Sequence, residues 1–172
     1  MNPTLQGAQL ATLKAFIAAD PTLSQIPPGP DGDFDIAKAM NFAAAPDFKV
    51  WKTSVAVTAL QLAPFDWSRV DNLTVGKARI WDWMTEIGVI DPSQANIRGG
   101  VEATFSVDAA DGPCRQAIYN GSSRNATIAE KVFIVPASGT GAAPTNHGVG
   151  PATMAAEGAL TQAEVGAARA LP

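Results

Sequence analysis

Cysteine and histidine occur once each in the 172 residues, as Cys114 and His147. A single cysteine excludes an internal disulfide and a cysteine-based zinc site. One histidine leaves most Ser-His-Asp and Cys-His arrangements unassembled. Charge is scarce as well, at 16% of residues against about 25% in an ordinary soluble domain. Lys and Arg never stand side by side and the net charge is −4, so direct nucleic acid binding is not expected. No segment approaches the roughly 18 continuous apolar residues of a membrane span, and the N-terminus lacks a basic stretch followed by an unbroken apolar run. Neither a membrane span nor an export signal is therefore expected. GxGxxG, P-loop and HExxH patterns are missing. Their absence argues against a cofactor, a metal, a small-molecule substrate and an enzyme.

What is present is helical periodicity. Leu10, Leu13, Phe16 and Ile17 recur at helical spacing over 8–19, and Asp20-Pro21 stops the pattern. SQIPPGPDGDFD reads as an irregular loop, after which Asp35 opens a short helix with Ile36, Ala39, Met40 and Ala43 on one face. FKVWKTSVAV is either a strand or a buried linker into a helix at VTALQLA, and Pro64 interrupts. SQANIRGGVEATFS spaces Ile97, Val101 and Phe105 four apart; Gly99 and Gly100, each costing about 1 kcal/mol relative to Ala in a helix, imply a close crossing there. DGPCRQAIY reads as a helix started by proline. Thr127 to Glu130 and Thr161 to Glu164 are capping boxes opening two further helices.

These elements predict a mainly α fold: a compact domain of about five to seven short helices with a small two-stranded β-hairpin arm near the C-terminus. The helical domain is expected over 1–133. An extended arm or hairpin with a flexible Gly/Pro loop follows over 134–156, its apolar runs lying at 132–135 and 152–156. A helix in 157–172 is expected to pack back on the domain. A loop of that length is usually functional or disordered, so its removal is expected to spare the domain's fold.

VDNLTVGKARIWDWMTEIG packs two tryptophans into three positions. On a 3.6-residue helix Leu73, Gly76, Ile80, Trp83, Met84 and Ile87 fall within one arc, a core stripe capped by Asn72 or Thr74. Lys77 and Trp81 sit on its flanks. Arg79, Asp82 and Glu86 lie outside it, with Arg79 and Asp82 spaced to pair. Trp83 is thus expected in the core. Trp81 is either covered by another segment of the same chain or set at a contact surface, where aromatics are enriched.

Reactive candidates are few. His147 sits between Asn146 and Gly148 in the Gly-rich loop, a poor place to hold an imidazole beside a nucleophile. Cys114 follows the proline of its helix, where a helix N-terminus can lower a thiol's pKa, yet free cysteines more often simply pack. Asp31, Asp33 and Asp35 alternate as in the first half of a calcium loop, but the sixth and twelfth positions hold Ile36 and Phe42 where glycine and glutamate are needed. An exposed acidic turn capping the next helix is the better reading. Asn72, Asn120 and Asn125 head formal glycosylation sequons that lack an export signal to give them meaning.

The segments FKVWKTSV, DWSRVDNLTVGKARIWDWM, DPSQANIRGGVEATF, RNATIAEKVF and PATMAAEGALTQAEVGAARAL, in this order, resemble a family of short proteins encoded among the virion structural genes of tailed bacteriophages and proteobacterial prophages. The resemblance spans nearly the whole chain, and VDNLTVGKARIW and EGALTQAEVGAARAL carry it most specifically. It implies a particle component of the tail or head–tail neck region without enzymatic activity, made in the bacterial cytoplasm and residing in the virion. Its expected partners are copies of itself and other phage structural proteins. The candidate interface residues are Trp81, Lys77, Val135, Pro144, His147, Pro151 and Met154. The alternatives are a transient assembly factor or adaptor not retained in the particle, and a cell-wall hydrolase, which would need paired carboxylates in a cleft.

Overall fold

The computed structural model describes residues 5–62, 65–108 and 110–172; the break expected at Pro64 lies outside them. In chain order they form α1 (Gly7–Ala19), a 3-10 turn (Leu23–Gln25), α2 (Pro30–Met40), β1 (Lys49–Trp51), β2 (Val55–Ala56), α3 (Val57–Leu60), α4 (Ser68–Asp71), α5 (Val75–Glu86), β3 (Val89–Ile90), α6 (Ala95–Thr104), α7 (Gly112–Gly121), β4 (Ser123–Asn125), α8 (Ile128–Val132) and α9 (Gln162–Arg169). The described residues are mainly helical, with helix outweighing strand by 48% to 9%. Among them two small antiparallel sheets pair β1 with β4 and β2 with β3. Within 134–156 an antiparallel bridge joins Ile134 to Met154, and Ala152 bridges β1 in parallel.

Two compact units share the chain. One comprises Met1–Phe48, Asn125–Pro136 and Met154–Pro172, the other Lys49–Arg124 and Ala137–Thr153. The expected boundaries at 133/134 and 156/157 are thus displaced. Residues 1–133 contribute to both units, and the middle of the supposed arm belongs wholly to the second.

In the first unit α9 packs on α1 and α2. Leu13, Ile17, Ile36, Met40, Val165 and Ala168 meet at the core. Helix α2 begins at Pro30, five residues before the expected start, because proline at the first helical position gives up only an N–H that would have no partner there. Gly32 makes the tight approach possible: a Cβ there would lie 2.0 Å from the Pro27 carbonyl oxygen. The acidic turn is not simply solvated. Asp33 accepts from Arg169 at 2.9 Å, and the same guanidinium donates to the Ile26 carbonyl at 2.8 Å, tying α9 to the start of α2.

Both capping boxes form, and each does more than start a helix. Glu130 Oε2 accepts from Thr127 N while its Oε1 accepts from Gly158 N. Glu164 repeats the arrangement, with Oε2 on Thr161 N and Oε1 on Leu5 N. Each carboxylate, buried in its residue, uses one oxygen locally and one to hold a distant strand of chain, so two orphan amides are satisfied per helix start. Asn41 acts similarly across the unit, exchanging two hydrogen bonds with the backbone of Leu160.

The second unit is built on aromatic rings. Trp81 stacks on Phe65 at 5.6 Å and 11°, and Phe105 stands edge-on to both. Trp51 meets Tyr119 edge-to-face at 5.7 Å, beneath the Arg98 guanidinium. Helices α5 and α6 cross closely at Gly100, where a Cβ would sit 3.0 Å from Met84 Sδ; Gly99 faces open space. The close crossing therefore needs one of the two glycines.

Rotation of α5 corrects the sequence reading. Trp81 and Met84 are its buried residues, with Trp81 at 4% exposure and Trp83 at 62%. Apolar residues run more than halfway around this helix, so periodicity alone does not choose a face. Phe65 and Phe105, neither of them on α5, offer ring partners to Trp81, and the helix turns by roughly one residue step of about 100° to meet them.

The Gly-rich segment is likewise ordered into the second unit. Ala152 bridges β1 in parallel, its N–H donating to Lys49 O and its carbonyl accepting from Trp51 N. Lys49 N donates to Gly141 O, Thr140 N and Gly141 N share Gly150 O, and Gln116 Nε2 donates to Pro144 O. Gly139 lies so close under Pro151 that a Cβ would come within 2.1 Å of its carbonyl oxygen. A segment with little side-chain bulk thus builds a compact loop through its backbone.

Two outcomes follow for stability. Trp81→Ala is expected to cost about 3–5 kcal/mol, whereas Trp83→Ala stays within about 0.5 kcal/mol, measured by urea unfolding; equal losses would contradict this rotation of α5. Deletion of 137–150 is expected to abolish cooperative unfolding of the second unit, read as loss of the near-ultraviolet tryptophan signal. A variant that keeps that signal would mean the loop is dispensable to the fold.

Candidate interaction surface

Of the residues expected to form an interface, Trp81, Pro144, Pro151 and Met154 are buried, Lys77 is half-buried, and Val135 and His147 are exposed. The four buried ones are corrections with one physical cause: chain from the same unit covers them. Trp81 lies in the aromatic cluster, Pro144 and Pro151 lie within the ordered loop, and Met154 bridges Ile134. These seven positions therefore do not form one exposed patch.

An exposed apolar surface lies instead on the outer side of α5. Trp83 is joined there by Val75 at 72% exposure and Ile87 at 48%, with half-buried Ile80 between them. At 100° per residue Gly76, Ile80, Trp83 and Ile87 fall within a strip about 60° wide. Gly76 leaves that strip bare, since a Cβ built there would meet nothing within 4 Å. Arg79 and Glu86 run along one edge, both exposed. The helix starts at Thr74, which stands at the N-cap position without a side-chain cap bond, and the chain leaves through Gly88 at φ +74°. The signal for this surface was in the sequence as an excess of apolar residues: more than one helix face can bury.

In the first unit Phe34 and Phe42 stand exposed and border, with Lys38, Asn41 and Leu160, an open groove of about 620 Å³. A second groove of about 580 Å³ is lined by Phe16, Ile128 and Val132 together with Asp20 and Lys131. Both are mainly apolar and neither gathers paired carboxylates.

The reactive candidates have structural surroundings. Cys114 is fully buried and its thiol points at the Asp66 carbonyl at 3.5 Å. Burial pushes that thiol up, away from the thiolate that nucleophilic chemistry requires. His147 has an exposed side chain, and its backbone N–H donates to Thr145 Oγ1. Next to it Gly148, at φ +66°, lies against the Tyr119 hydroxyl and Glu102. Burial, helped by Glu102, pushes the Tyr119 phenol up to about 12, so it stays protonated and donates towards Arg98 O and Glu102. Arg115 is buried against the same ring with its Nε unpartnered and its Nη2 3.5 Å from Glu102. Together they form a packed charged cluster that positions the loop.

Asp111 ties α4 to α7. It accepts two hydrogen bonds from Arg69 on one oxygen, at 2.8 and 2.9 Å, and two from Ser106 on the other. Burial works to raise its pKa, but the Arg69 and Ser106 hydrogen bonds outweigh it and hold the carboxyl below the usual range. Asp108 is also held low, chiefly by the Ser106 hydroxyl and by backbone amides.

Among the described residues no group of three His, Cys, Asp or Glu side chains is placed to hold a metal ion. Among the same residues no helix is long and apolar enough to cross a membrane. Compared with known proteins, the chain matches no family model, no curated protein and no solved structure.

A lowered carboxylate pKa contributes stability above the unfolded value of about 3.9, and this is lost as pH falls through the lower folded value. Asp111→Asn is therefore expected to melt below wild type at neutral pH, with the gap closing as pH drops below about 4. A gap that is constant across the acid range would contradict the assignment.

Proposed function

We propose that this protein is a structural component of a tailed bacteriophage particle, in the tail or head–tail neck region, that works through subunit contacts and performs no catalysis. The observation that carries the reading is the exposed strip of α5, centred on Trp83. An indole and neighbouring aliphatic side chains left in water on a charge-poor chain have the composition of a contact surface, in which Trp is over-represented among the residues that matter most. The family resemblance of VDNLTVGKARIW adds the particle context, and this segment includes the first half of α5. The surroundings of Cys114 and His147 support a role without chemistry. In this reading the partners are other copies and other particle proteins, and the protein is made in the bacterial cytoplasm and resides in the virion.

The test is to purify particles from an induced lysate and quantify this chain in them by mass spectrometry after a high-salt wash. Retention at a fixed ratio to the major capsid protein is expected. Its absence from washed particles would overturn the reading in favour of a transient assembly factor.

A further inference from the structure

The exposed strip on α5 is self-complementary, and the geometry points to a second copy of this chain as its occupant: two α5 helices pairing antiparallel across a two-fold axis centred between Asp82 and Trp83. This rests on the reading of α5 as a contact surface and adds the partner and the register.

The charges choose the orientation. Arg79 and Glu86 lie on the same edge of the strip, about 20° apart around the helix and equally far along it from the point between Asp82 and Trp83. An antiparallel two-fold keeps that edge on the same side of both helices and reverses their direction. Arg79 of each copy then comes level with Glu86 of the other, giving two opposite-charge pairs. A parallel pairing sets the charged edge of one helix against the opposite edge of the next and leaves both charges unmatched. Neither Arg79 nor Glu86 takes part in an ion pair among the described residues, so both are available to a partner.

The apolar positions fit the same register. With a rise of 1.5 Å per residue, the two-fold places Gly76, Ile80, Trp83 and Ile87 of the two copies in alternation along the seam. Each Ile87 falls between Ile80 and Gly76 of the second copy, with neighbours about 3 Å apart along the axis. The two Trp83 side chains meet at the two-fold, within about 1.5 Å of each other in height. Gly76, with no atom within 4 Å of where its Cβ would be, leaves room for the incoming Ile87. The interface is isologous, the usual form of a closed dimer. A 12-residue helix is about 18 Å long and falls short of the roughly 800 Å² per partner of a standard interface. The dimer is therefore weak and concentration-dependent, suited to strengthening by neighbours in an assembly.

The test is sedimentation velocity on the full chain across about a thousandfold range of concentration up to the millimolar level, with circular dichroism to establish that each variant is folded. Wild type is expected to move from monomer to dimer. Trp83→Ser, at an exposed position, is expected to stay folded and weaken dimerisation by about thirtyfold or more. Arg79→Glu and Glu86→Arg are each expected to weaken it by roughly tenfold, and the double variant to recover most of that loss. A chain monomeric throughout, a dimer insensitive to Trp83→Ser, or a double variant no better than the singles would each overturn the proposal. Retention in washed particles by a chain that never dimerises through α5 would leave the particle role standing and remove only this pairing.

Discussion

The stacking of Trp81 on Phe65, with Phe105 edge-on to both, sets the rotation of α5, and what that helix presents to solvent follows from it. Three rings within 6 Å of one another bury a large apolar area at one point of the unit. Burying Trp83 instead would require turning Trp81 away from both partners. The exposed strip of Trp83, Ile87 and Gly76 is thus the consequence of a core decision made by residues before and after α5 in the chain.

A second constraint acts through the backbone. The stretch from Ala137 to Thr153 has little apolar bulk, yet it joins the second unit because β1 offers amides and carbonyls that Ala152 and Gly141 satisfy. Glycine makes this possible at Gly139, where no Cβ fits under Pro151, and at Gly150, whose φ of +121° is open to few other residues. Tyr119 and Glu102 form the floor on which Gly148 rests, with Arg115 packed against both. What reads along the chain as a mobile arm is a loop closed by hydrogen bonds to chain about a hundred residues earlier.

These two constraints bear on the proposed role in the same way. They bury Trp81, Pro144 and Pro151 within the second unit and leave a helix face of α5 exposed. A surface carried on a helix packed against α6 is preorganised, so association through it orders few side chains. That suits a subunit repeated in an assembly, where many weak contacts act together.

Local chemistry was legible from the residues. Thr127 with Glu130 and Thr161 with Glu164 announce their helices because a capping box is complete within four positions. The helical class follows from 3.6-residue periodicity, and the poverty in histidine, cysteine and charge limits the available chemistry without reference to any fold. The second oxygens of Glu130 and Glu164, the Asp33–Arg169 pair, the face buried by α5 and the docking of 137–153 were not legible. Each joins groups far apart in sequence, and many distant partners are equally compatible with a local pattern. Composition and short-range spacing therefore determined the helical class, the two capped helix starts and the poverty of chemistry, while only the tertiary structure decided which tryptophan is core and which is surface, because that choice depends on rings supplied by other parts of the chain.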